Sequence, residues 1–276
     1  MKIHLAIILF HTAALLQGQI IEGRITAAKD QSKLPYVNVG ISGKGIGTVS
    51  DEHGHFRLDI SNATMTDTLR ISYIGYTAYI QDVASIREQG LPQPVALTEQ
   101  VFDLHEITVR PFDLVPVTLG NTFSSPAIAA GFKSDELGCE AGTIMRIKNG
   151  KTYYLNTAGF FVAQCNYDSI LFRLNIYPYN KGKMGDVLHQ LPIYIKVTPG
   201  MKHVRVDLTP YYISVDQDFV MALEWIQDLP DKQKGFYFCA GFLGDGVMAR
   251  ETSQDDFEKF GWIGLGMYCE TEFVRN

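Results

Sequence analysis

Thr48 to Ile60, "TVSDEHGHFRLDI", gathers one Asp, one Glu and two His around Gly54. Imidazoles and carboxylates at short spacing are the donors that hold zinc or another transition metal. The same letters also write a tight turn. Asp51 can cap the turn through its side chain, Gly54 takes a positive φ without steric cost, and Phe56 re-enters a core. If His55 begins a strand, its side chain and that of Arg57 share one face, opposite Phe56 and Leu58. No second His cluster stands at a ligand spacing, so the stretch reads as a structural turn and no metal is expected.

A charged pair in the second half is more informative. In "ILFRLNIY" Ile170, Phe172, Leu174 and Ile176 take one strand face and Leu171, Arg173, Asn175 and Tyr177 the other. In "FVMALEWI" Phe219, Met221, Leu223 and Trp225 align opposite Val220, Ala222, Glu224 and Ile226. Arg173 and Glu224 each interrupt a mostly apolar strand, and a charge there needs a partner, so the two are expected to lie together. A catalytic Glu is the sharper alternative, but the sequence offers no matched second acid.

Six tyrosines, Tyr153, Tyr154, Tyr177, Tyr179, Tyr211 and Tyr212, stand at strand or turn edges and could stack on sugars. Asp216 and Asp218 in "VDQDF" are the letters of a calcium loop, but a bare D-x-D at a hairpin reads as a polar turn. "GFLGDGVM" is glycine-rich between strands rather than before a helix, so it reads as a hairpin turn and not a phosphate cradle. No G-x-S-x-G, H-E-x-x-H or P-loop is present, and no cofactor is expected.

The elements that must position these residues are strands. Apolar residues alternate with polar ones or run in fours to eights, punctuated by Gly, Asn, Asp and Pro, and almost nothing reads as helix. Strands are expected near residues 19–27, 37–42, 47–50, 55–60, 68–73, 76–83 and 94–98, enough for one small sandwich. Residues 99–139, with three prolines after Arg110, read as a linker with some extended structure. Residues 140–276 hold an expected eight or nine strands of a second, jelly-roll-like sandwich. Asn149-Gly150 marks a hairpin there, and "NYDS" another turn.

Residues 1–18 pair a basic start with an apolar run from Leu5 to Leu16, too short to span a bilayer, and fit a secretory signal peptide. Removing them deletes Lys2 and moves the formal charge from −6 to −7, which argues against nucleic acid or an anionic membrane as partner. No later window is apolar enough to cross a membrane as a helix. Cys139, Cys165, Cys239 and Cys269 carry no C-x-x-C spacing. The last three sit in strand-like runs and read either as small buried hydrophobes or as one disulfide, Cys239 to Cys269.

"IIEGRITAAKDQSKLPYVNVGISGKGIGTVSDEHGHFRLDI" followed by "DTLRISYIGYTAYI" resembles the carboxypeptidase regulatory-like domain. The matching features are Gly23, "LPYVNVGI", "GTVSDEHGHF" with Asp51, Gly54 and Phe56, and "ISYIGY" with Gly75 and Tyr76. The resemblance implies a transthyretin-like sandwich of secreted bacterial proteins over residues 19–98, with an accessory rather than catalytic role. The second half is similar, through "ILFRLNIYPY", "RVDLTPYYISV" and "FVMALEWI", to the region after this domain in Bacteroidetes proteins, which implies an uncharacterised β-sandwich.

The expected molecule is all-β: an N-terminal seven-stranded transthyretin/Ig-like sandwich followed by a jelly-roll-like one. It is expected to be secreted or periplasmic, in association with the outer membrane, and to lack catalytic activity. Its expected role is to bind an envelope protein or a glycan, the alternative being sugar binding by the aromatics of the second sandwich. An outer-membrane barrel is not expected, because no succession of amphipathic strands sufficient for one follows.

Overall fold

The computed structural model describes residues 20–100, 113–133, 136–148, 150–230, 234–242 and 244–275. Residues 1–18, read as a leader, and Asn149 lie outside them.

The first sandwich is built from β1 (Ile20–Ala27), β2 (Asn38–Ile41), β3 (Ile46–Val49), β4 (His55–Asp59), β5 (Thr68–Ser72), β6 (Tyr79–Asp82) and β7 (Val95–Leu97), with a short helix α1 (Val83–Gln89) between the last two strands. Its two sheets run β4-β1-β7 and β3-β2-β5-β6. Alternation drives the packing: in β4, Phe56 and Leu58 are buried while His55, Arg57 and Asp59 face water. Phe56 and Leu58 join Ile25, Val39, Ile71 and Val95 in one core.

α1 was not expected, because the strand read over residues 76–83 stops at Asp82. Asp82 caps the helix by accepting from the Ser85 amide at 2.7 Å. Val83 and Ile86 face the core, and Gly90 at φ 76° ends the helix. At two turns it is too short to declare a 3.6-residue period.

The second sandwich comprises β8 (Leu114–Gly120), β9 (Ala129–Phe132), β10 (Glu140–Met145), β11 (Tyr153–Cys165), β12 (Ile170–Asn180), β13 (Lys183–Met184), β14 (Ile193–Val197), β15 (His203–Asp207), β16 (Ser214–Val215), β17 (Phe219–Trp225), β18 (Phe236–Phe242), β19 (Val247–Arg250), β20 (Glu258–Phe260), β21 (Ile263–Leu265) and β22 (Met267–Val274). One sheet runs β13-β12-β17-β10-β19-β20 with β14 on β12. The other runs β21-β18-β11-β22-β8, with β15 and β16 on β11 and β9 on β18. Between them lies an aromatic core in which Phe172 meets Trp225 at 5.4 Å and Phe236 meets Phe238 at 5.0 Å, both edge to face.

Two expectations change and one open alternative is settled. Residues 114–120 and 129–132, read as part of a linker with some extended structure, form strands that belong to the second sandwich: β8 pairs along β22 from Leu114 to Gly120, and β9 pairs with β18. Prolines suit such an edge, and Pro116 sits on it. "GFLGDGVM" is not a hairpin, since β18 and β19 belong to different sheets and the glycines carry the chain from one to the other. Cys239 and Cys269 are both buried and unpaired, so the small-hydrophobe reading describes them.

Candidate functional site at the junction of the two sandwiches

β12, β17, β10 and β19 are neighbours in one sheet, and register aligns one charged residue from each. Arg173 stands opposite Glu224, Glu224 opposite Glu140, and Glu140 opposite Arg250. The result is a row across four adjacent strands reading plus, minus, minus, plus. Period-two alternation explains the row, because the other face of the same strands carries Phe172, Leu223 and Trp225 into the aromatic core.

Both Glu side chains are fully buried, and Arg173 is 2% exposed. Burial of charge at this depth is costly unless it is paired and hydrogen-bonded. Arg173 donates from Nε and Nη2 to Glu224 Oε2 at 3.0 and 2.7 Å. Arg250 Nη2 lies 2.8 Å from Glu140 Oε2 and 3.5 Å from Glu224 Oε1. Asn175 Nδ2 donates to both acids, at 2.9 Å each. Tyr177 donates to Glu140 at 3.0 Å.

The first sandwich completes the cluster. Asn38 on β2 donates to Glu224 Oε1 at 2.7 Å and accepts from Arg173 Nη2. The Tyr36 carbonyl accepts from Arg173 Nη1 at 2.7 Å.

The two carboxyls titrate apart. Burial pushes Glu140 up to about 7, against the pull of Arg250 and with a further push from Glu224. Burial also raises Glu224, but the Arg173 and Arg250 charges, with hydrogen bonds from Arg173 and Asn175, overcome it and hold this carboxyl below its usual range. Burial and the Glu140 charge drive the Tyr177 phenol well above its ordinary value. An acid near neutrality beside an ionised carboxylate is the outline of an acid–base pair. All four oxygens here, however, already accept from Arg, Asn or Tyr.

A loop of the second sandwich also docks on the first. Gly43 donates to the Gln254 carbonyl at 2.9 Å, Gly45 to Asp255 Oδ1 at 3.0 Å, and Gln254 to Ser72 Oγ at 2.7 Å. A Cβ on Gly47 would sit 2.0 Å from the Ser253 carbonyl, and one on Gly75, at φ 84°, would sit 2.8 Å from that of Gln190. Glycine is needed at both by the approach of the other sandwich. Beside these contacts a cleft of about 540 Å³ opens, lined among others by Tyr73, Tyr76, Asn175, Tyr177, His189 and Arg250.

The opening stretch makes a turn. Asp51 Oδ1 accepts from the His53 and His55 amides at 2.8 Å each, and Gly54 stands at φ 79° with its amide on the Asp51 carbonyl. The six tyrosines do not share a face. Tyr153, Tyr177 and Tyr179 are buried, Tyr211 is half-buried, and Tyr154 and Tyr212 are exposed. Asp218 is held by Arg146 at 2.6 Å and the Ile147 amide at 3.0 Å.

Sequence reasoning brought Arg173 and Glu224 together but missed Glu140, Arg250, Asn38 and His189. Glu140 opens a strand and Arg250 closes one, so neither interrupts an apolar run. Only the register across three strands aligns them with Glu224.

The chain is thus an all-β protein of two sandwiches, the first Ig-like in its two-sheet architecture. Residues 21–109, about a third of the chain, match the family CarboxypepD_reg-like domain. No curated protein matches the chain. Among solved structures, it is similar to a chain of the T13 IBDV viral particle, at 7% identity and TM-score 0.31, covering 93% of this chain and 62% of that one. A chain of the infectious bursal disease virus VP2 subviral particle matches at 10% identity and TM-score 0.23, covering 93% and 60%. This chain spans under two thirds of those chains, and at these scores the likeness defines neither fold nor function.

Proposed function

We propose that this chain is a non-catalytic binding or adaptor protein of the bacterial cell envelope, secreted or periplasmic, of Bacteroidetes type. The observation that carries the non-catalytic reading is the occupation of all four carboxylate oxygens of Glu140 and Glu224 by internal donors. Glu140, the acid poised near neutrality, is fully buried, so a substrate proton would reach it only after Tyr177 or Asn175 had let go. Such a cluster fits a device that fixes two domains against each other.

The leader-like residues 1–18 and the regulatory-like domain support an envelope location. An apolar tip supports a partner-binding role: Trp262 is 81% exposed, and the exposed Phe242 pairs across strands with Ile263. The alternative, sugar binding by aromatics of the second sandwich, keeps Tyr154 and Tyr212 as its exposed rings.

Tagged full-length chain, cross-linked in the native envelope and analysed by mass spectrometry, tests this reading. Mature protein lacking the leader, recovered outside the cytoplasm with a recurring envelope partner, is expected. Cytoplasmic protein that keeps residues 1–18 would refute it.

A further inference from the structure

Charge is unevenly distributed around the cleft between the sandwiches. Three guanidiniums line it, those of Arg70, Arg173 and Arg250, against the two carboxylates of Asp186 and Glu224. Arg173 and Arg250 are buried and committed to the row. Arg70 differs: its side chain is 35% exposed, so a molecule in the cleft can touch it.

Arg70 stands on β5 of the first sandwich, and both sandwiches fix its head. Nη1 donates to Ser72 Oγ at 3.1 Å and to Gln254 Oε1 at 2.8 Å, while Gln254 Nε2 donates to Ser72 Oγ at 2.7 Å. Ser72, Gln254 and Asp186 all line the cleft, which places the guanidinium at its wall. Among the described residues Nη2 makes no hydrogen bond, and its ion-pair partner is Asp186 at 3.9 Å. That carboxylate is fully exposed, and so solvated a pair contributes little. A pinned guanidinium edge with no hydrogen-bonded acid is one half of the fork that a planar carboxylate fits.

The buried row does not cancel this positive charge. Glu140 lies behind the wall and faces Asn175 and Tyr177 from β12, Glu224 from β17 and Arg250 from β19, with Arg173 beyond Glu224. With its pKa near 7, part of the population holds a proton there at neutrality, and Arg173 and Arg250 then share the single charge of Glu224. His189 adds no charge, because burial lowers its pKa to about 4. An anion in the cleft therefore meets a net attraction that a neutral molecule does not gain and a cation opposes.

The rest of the wall is aromatic. Tyr73 and Tyr76 are half-buried, with rings 5.5 Å apart, and their hydroxyls are engaged by Tyr194 at 3.0 Å and Glu99 at 3.4 Å. What they offer a ligand is ring surface. The volume, about 540 Å³, lies within the range of small-molecule sites.

We infer that the cleft between the sandwiches binds a small carboxylate attached to a ring, the carboxylate on Arg70 where Asp186 now approaches and the ring against Tyr73 and Tyr76. This rests on reading the chain as a binding protein, but at a different place from the exposed tyrosines of the second sandwich.

Titration calorimetry of the full chain with benzoate, cyclohexanecarboxylate and glucuronate tests it, beside benzyl alcohol, benzylamine and glucose as neutral or cationic counterparts. At least one of the three acids is expected to bind saturably, and about tenfold or more tighter than the counterparts. Arg70→Gln and Tyr76→Ala should each weaken that binding about tenfold or more. Asp186→Asn, at a fully exposed position, removes the competing carboxylate and should tighten it about threefold, a gain that misfolding cannot imitate. Tyr154→Ala and Tyr212→Ala should leave it unchanged. No saturation by any of the three acids up to about 10 mM, equal or tighter binding of a counterpart, indifference to Arg70→Gln, or weaker binding by Asp186→Asn overturns the inference. Absence of binding refutes the cleft assignment and leaves the adaptor role standing. Chromatography of the recovered ligand tests the other reading: converted ligand refutes the non-catalytic role while the cleft assignment stands.

Discussion

In the first sandwich the residues that look chemical make turns. Asp51 ties down two backbone amides, and Gly54 supplies the positive φ that lets Phe56 return to the core. In the second sandwich no motif surrounds Arg173, Glu140, Glu224 or Arg250, yet the four form a buried row in which each charge faces an opposite one. A clustering of chemical letters along the chain marks local backbone needs, whereas a clustering in space across strands marks the place where burial and charge meet. The two regions also need each other: Asn38 and the Tyr36 carbonyl finish the row, and the second sandwich lies against Gly47 and Gly75.

The contrast gives graded expectations for stability. Glu224→Ala leaves Arg173 buried without its main partner and should cost about 3–5 kcal/mol in chemical denaturation, whereas Asp51→Ala in the exposed turn should cost about 1 kcal/mol. Equal costs would erase the distinction between the regions.

The next effect is in pH. Glu140 holds its proton more tightly when folded, with a pKa near 7 against an ordinary 4.5. Its contribution to stability is therefore complete below pH 4.5 and lost as pH rises through about 7. Glu224, shifted the other way, loses its contribution only below its ordinary 4.5, outside that window. Between pH 5 and pH 8 the wild type should lose up to about 3 kcal/mol relative to Glu140→Gln in urea titrations. Parallel pH profiles would mean that Glu140 is ionised throughout.

Gly47→Ala should cost about 2 kcal/mol, because the new methyl meets the Ser253 carbonyl of the other sandwich. The smallest effect belongs to Arg205 and Glu270, joined at 2.7 Å by two parallel bonds on the surface. Arg205→Ala should cost less than about 1 kcal/mol and become neutral in high salt.

Much of this was legible in the sequence. The seven strands of the first sandwich follow from alternation and turn residues, and Arg173 and Glu224 showed themselves as charges inside apolar strands. β8 and β9 were hidden because Pro, Ser and Gly give edge strands the composition of a linker. α1 was hidden by its length, although Asp82 and Gly90 bracket it with cap residues. Glu140, Arg250 and His189 left no linear signal, since their company is set by strand register and by the docking of one sandwich on the other.

The central claim is that the buried row and the loop docked on β2 and β3 make the two sandwiches one unit with its site at the junction. Differential scanning calorimetry of the wild type beside Asn38→Ala tests it most directly, because Asn38 is the first sandwich's side chain in the row. The wild type should unfold in one cooperative transition, and Asn38→Ala should split it into two or lower it as a whole. Two independent transitions in the wild type, or a variant in which only the first sandwich loses stability, would contradict the account.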